Sequence, residues 1–190
     1  IQDRLKPEVK IDFSIDDWTK WAEDPDQGNL AQPLIAYAKF RKSIFDEKNF
    51  DPKQRFNVTP RSMQMLNPYV NPECPRDIQV ELVQGIIGEG HAAEFLGFMR
   101  IWRDLPDIDM VIRTPGKVPV PTKPDILFAL AQSLAYSCTP TNADHLAVFT
   151  EKLPEEFEVM FYKEVLRRDA NVAKTKAFST FLVKNQELIM

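Results

Sequence analysis

Apolar side chains recur at three- and four-residue intervals along most of the chain, a period that predicts helices rather than strands. The clearest early case is Ile15, Trp18, Trp21 and Ala22, one face of a helix that Ser14 caps and that Asp24 and Pro25 end. A second helix is predicted over 31–44, with Leu34, Ile35, Ala38 and Phe45 inward and Lys39, Arg41 and Lys42 outward. Pro60 opens a third, and Ile78, Leu82, Val83 and Ile86 mark the inner face of a fourth over 76–87. Residues 91–105 are apolar around most of their circumference and are expected to form the central buried helix. A short turn or helix through Val111 follows, then an extended proline-rich segment, "TPGKVPVPTKP", and further helices over 125–137, 142–153, 155–168 and 171–184. Strict alternation is confined to "EVKIDF" at 8–13. The predicted class is all-α, a multi-helix bundle with at most one short N-terminal strand.

Prolines and turn formers divide this pattern. Residues 46–59 carry Asn49, Asp51, Pro52 and Asn57 and are expected to be a loop. Pro68, Pro72 and Pro75 in "NPYVNPECP" each break a helical ladder, so this stretch is expected to be a joint. The organisation predicted is an exit segment at 1–13, a helical subdomain at 14–67, a connector at 68–75 and a second helical subdomain at 76–190.

Composition narrows the function classes. With 190 residues, 44% hydrophobic, the chain can bury a sizeable core. A net charge of -4 argues against nucleic-acid and membrane-surface binding, and no apolar run approaches the roughly 20 residues of a bilayer span. The two cysteines, Cys74 and Cys138, form no disulfide or zinc pattern, and a reducing, cytoplasmic setting is expected. Six glycines leave little room for phosphate-cradling loops: no G-x4-G-K-S/T motif occurs, and Gly85 to Gly90 are followed by no lysine. His91 and His145 lack companions at metal spacing, so no metal site is predicted. The acidic group Asp16, Asp17, Glu23, Asp24 and Asp26 has no calcium-loop pattern and is expected to be a solvated face. Glu94, on an apolar face, is expected to cap its helix or to sit in a buried ion pair.

The residue with the most pointed chemistry is Arg61. Thr59 suits a helix N-cap and Pro60 the first helical position, which puts Arg61 in the first turn. There the helix dipole disfavours a cation by about 0.3 to 1 kcal/mol. A bound phosphate reverses that sign, because helix N-termini and guanidinium groups both attract it. The competing readings are an arginine extended into solvent and a pair with a nearby carboxylate such as Asp51.

The order of these pieces resembles the MoxR-like branch of AAA+ ATPases, in the part that follows the nucleotide-binding core. The resemblance rests on "DRL" at 3–5, "DDW" at 16–18, "LIAYAKFRKSIFD" leading to "FDPKQRFNVTPRSM", "GEGHAAEFLGFMRIWRDLPDID", "VPVPTKPDILFALAQSLA" and "LPEEFEVMFYKEVLRRD". It implies an AAA+ lid-like helical subdomain followed by a second one. It also implies that Arg61, with Thr59 and Pro60, forms a sensor-2 element meeting the ATP γ-phosphate, and that Arg4 is an arginine finger. Leu5 and Met63 stand where the family carries phenylalanine and tryptophan.

The resemblance further implies ATP with magnesium in the full-length protein, an upstream ATPase core, a homo-oligomeric ring and a von Willebrand factor A domain protein as partner. The chain starts at Ile1 and carries neither Walker motif, so it is expected to be a fragment that binds no cofactor and hydrolyses no ATP by itself. Two other readings stand beside this one. The first is a free-standing α-helical interaction module without nucleotide binding; the second is an enzyme using Glu94 or His91 of "GEGH".

Overall fold

The computed structural model describes residues 13–45, 51, 53, 55–70 and 74–185, and among these all regular secondary structure is helical, with no strand. The helices are α1 (Ile15–Glu23), α2 (Gln32–Phe40), α3 (Pro60–Leu66), α4 (Arg76–Ile87), α5 (Glu89–Arg103), α6 (Ile108–Arg113), α7 (Pro124–Ser137), α8 (Ala143–Thr150), α9 (Glu155–Arg168) and α10 (Lys176–Lys184). The strand predicted over 8–13 lies, Phe13 apart, outside the described residues, as do residues 46–50, 52 and 54 of the loop predicted over 46–59.

The ends of α1 follow from its sequence. Ser14 accepts a hydrogen bond from the Asp17 amide at 3.3 Å, and after Glu23 the chain folds back so that Gly28 and Leu30 donate to the Trp21 and Ala22 carbonyls. Gly28 is required there: a Cβ would stand 2.6 Å from the Trp21 carbonyl oxygen and 2.7 Å from the Ala22 Cα. Three helices are shorter than predicted. α2 stops at Phe40 and continues as a 3-10 turn over Lys42–Phe45, α8 ends at Thr150, and the last predicted helix divides into a 3-10 turn (Ala170–Lys174) and α10, with Thr175 extended between them.

The central buried helix is α7, not the 91–105 segment. Residues 129–136 of α7 are all buried, whereas α5 buries only Ala92, Phe95, Phe98 and Met99. Ala129, Ala131 and Ala135 have side chains short enough for α2 and α9 to close on α7 from different sides, so its whole circumference is covered. α4 has the predicted span but a different phase. Gln79, Val83 and Ile87 face inward, and Ile78 and Leu82 are exposed. The rotation follows from hydrogen bonding: the Gln79 amide donates to the Tyr69 carbonyl and accepts from Arg103 at 3.2 Å, so a polar side chain enters the core with its bonds satisfied.

Two apolar clusters result. The first is built around Trp18, Leu34, Tyr37, Met63, Leu66, Phe95 and Phe98 and draws on both sides of the proline-rich connector. The second is built around Leu130, Leu134, Phe149, Phe161, Tyr162 and Phe178. In the first, Tyr37 is 1% exposed and its hydroxyl has no hydrogen-bond partner among the described residues; burial raises its pKa well above the usual tyrosine value. A buried hydroxyl without a partner costs about 1 to 3 kcal/mol in lost hydration. Tyr37→Phe is therefore expected to raise stability by about 1 kcal/mol and the melting temperature by about 2 to 4 °C, read by calorimetry.

Candidate functional site

Thr59, Pro60 and Arg61 sit where their sequence places them. Thr59 Oγ1 accepts from the Ser62 amide at 3.1 Å, and Ser62 Oγ accepts from the Thr59 amide at 2.7 Å, a reciprocal capping box with Pro60 in the first turn. Ser62, Met63 and Leu66 are buried and fix the inner side of α3, and at its end Asn67 Oδ1 accepts from the Ala31 amide at 2.7 Å. Both cap hydroxyls are thus engaged with the backbone. Arg61 is on the opposite side, exposed together with Gln64 and Met65. It makes no ion pair with Asp51 or any other described residue. Asp51 instead accepts from the Lys53 amide at 2.9 Å. Arg4 lies outside the described residues.

The polar centre that the sequence reading missed lies where α1 and α2 meet α7 and α9. Lys39, expected outward, is only 14% exposed in its side chain and reaches Glu164 Oε1 at 2.7 Å and Glu23 Oε1 at 3.4 Å. Arg167 donates to both Glu23 oxygens at 2.7 Å and to Glu164 Oε1 at 2.6 Å. The Tyr136 hydroxyl donates to Glu23 at 2.9 Å, and the Arg168 guanidinium lies 4.4 Å from the Tyr136 ring centroid. Glu23 therefore belongs to a partly buried network, not to a solvated acidic face.

The electrostatics follow from this crowding. Burial by itself pushes the Glu164 carboxyl up, but hydrogen bonds from Arg167 and Lys39 and their charges outweigh it and hold the carboxyl below its usual value. For Arg167 the signs are reversed: burial lowers, the bonds to Glu164 and Glu23 raise, and the net direction is upward. Two signals in the sequence pointed here. Leu34 to Ala38 are five consecutive apolar residues, all buried, so α2 offers Lys39 little solvent; and Glu164 falls in the stripe of Phe157, Phe161 and Val165.

Two cavities flank the network. One of about 590 Å³ is lined by Glu23, Gln32, Asn67, Tyr136 and Arg168. The other, about 390 Å³, is lined by Lys39, Phe128, Gln132, Met160, Glu164 and Arg167.

The remaining candidates come apart. Glu94 neither caps α5 nor is buried; it pairs at the surface with Arg41 at 2.9 Å. His91 and His145 are exposed, both cysteines are free, and no metal-binding cluster of His, Cys, Asp and Glu occurs among the described residues. No described helix is long and apolar enough to cross a membrane. No protein-family model matches the chain, and neither does any curated protein or solved structure.

Proposed function

We propose that this chain is the lid and following helical part of a MoxR-like AAA+ ATPase, in which Arg61 senses the ATP γ-phosphate and couples hydrolysis to remodelling of a partner protein. The observation that carries this reading is Arg61 itself: an exposed guanidinium with no ion pair among the described residues, held in the first turn of a helix whose cap is complete and whose inner side is buried. A cation that opposes the helix dipole without an internal partner is suited to an external oxyanion. Thr59 and Ser62 fix the helix start, so Arg61 can orient such a group with little reorganisation.

In this reading ATP with magnesium belongs to the full-length protein, and supplies the phosphoryl group that Arg61 would contact. The upstream core contributes the Walker motifs, and Arg4 is the arginine finger toward a neighbouring subunit of a homo-oligomeric ring. A von Willebrand factor A domain protein is the partner class and the cytoplasm the setting. A second reading, an α-helical interaction module without nucleotide binding, draws on the exposed Ile78 and Leu82 of α4.

The test uses the full-length protein. Arg61→Ala is expected to lower ATP turnover by about 100- to 1000-fold, the scale of removing one preorganised charge donor. The melting temperature should stay unchanged, because the side chain is exposed and makes no ion pair among the described residues. Unchanged turnover, or a coding sequence without an upstream phosphate loop, would favour the interaction module.

A further inference from the structure

The two apolar clusters meet at a junction that is charged rather than oily. α1 to α5 build the first cluster and α6 to α10 the second, while α7 lends Ala129 and Tyr136 to the first and most of its other buried residues to the second. Across the junction, Glu23 of α1 and Lys39 of α2 meet Glu164 and Arg167 of α9, through bonds that span 144 and 125 residues of sequence. The four charges alternate in sign and sum to zero. Cavities of about 590 and 390 Å³ open on either side of them. Gln132, 3% exposed at the edge of the smaller one, leaves its Oε1 without a hydrogen-bond partner among the described residues. The main aromatic bridge across the junction is Phe40, 41% exposed, which touches Phe98 at 5.3 Å and Phe128 at 5.2 Å between ring centroids.

We propose that Glu23, Lys39, Glu164 and Arg167 form an ionic latch, and that breaking it lets the α1–α5 layer tilt against α7 and α9 as a unit. An interior ion cluster adds little net stability relative to apolar packing, yet it selects one arrangement, because displacement leaves buried charges unpaired. Here the flanking cavities supply the alternative. When the pairs part, water can enter from both sides and hydrate the separated charges, while α1 to α5 keep the packing among themselves and only their contacts with Ala129 and Tyr136 of α7 shift. Phe40, half in solvent and in contact with an aromatic residue on each side, is the pivot. The latch stands whether or not Arg61 meets a phosphate.

Paired spin labels on the whole chain test this. Asp17→Cys on α1 and Glu155→Cys on α9 are exposed positions on opposite sides of the junction. Cys74→Ser removes the half-exposed native thiol; Cys138 is buried, with its pKa pushed up to about 12, and stays unlabelled. The parent should give one narrow distance distribution. Lys39→Met and Glu164→Gln should each add a second population displaced by about 5 Å or more, the size of a one-turn shift. Glu23→Gln keeps the Lys39–Glu164 pair, should show the same population in smaller proportion, and serves if the other two do not fold. An unchanged distribution in a folded variant, or a parent already spread over both distances, would overturn the latch.

Discussion

Replacing Glu164 with leucine is expected to lower the unfolding free energy by about 3 to 5 kcal/mol, the cost of leaving a buried ion without its partner. Glu164 is 8% exposed, and its Oε1 takes both the Lys39 ammonium at 2.7 Å and the Arg167 guanidinium at 2.6 Å. Its removal leaves two cations facing one remaining carboxylate, Glu23, in a region sheltered from water. Urea denaturation reads the loss. The pH dependence supplies a second reading of the same residue. Because the folded pKa of Glu164 is depressed, its contribution is present above the unfolded value of about 4.3 and disappears as pH falls through the lower folded value. The stability gap between the parent and Glu164→Leu should therefore narrow below about pH 4. A gap that stayed constant with pH would show that leucine disturbs packing rather than charge.

Phe95→Ala should cost a similar amount, about 3 to 5 kcal/mol, for a different reason. Phe95 is fully buried and meets Tyr37 edge to face, with centroids 5.2 Å apart and planes at 74°. It joins α5 to α2, so truncation opens a void between two helices that α7 also holds in place, and limited relaxation keeps the cost high. Val183→Ala on α10, 74% exposed, is the control, expected within about 0.5 kcal/mol of the parent. Equal losses for the two variants in chemical denaturation would contradict the assignment of Phe95 to the core.

Helix existence was legible because it depends on local patterns. Ser14 and Thr59 cap where their side chains reach the next turn's amides, and the prolines mark starts and breaks wherever they fall. The phase of α4 was less legible. Ile78 and Leu82 are the stronger apolar signal, but Gln79 finds the Tyr69 carbonyl and the Arg103 guanidinium inside, and those partners come from other segments. Lys39 was hidden in the same way: its sequence neighbourhood gives a cation on a helix, and its partners lie on α1 and α9.

The sequence by itself determined the all-helical class, most helix starts and the capped presentation of Arg61, because each depends on residues within one or two turns of each other. Only the tertiary structure decided that α7 is the central helix, that Glu23, Lys39, Glu164 and Arg167 share one site, and that cavities flank them. Those outcomes depend on which faces meet across more than a hundred residues. A charged side chain carries the same local preference whether it ends in water or beside an opposite charge.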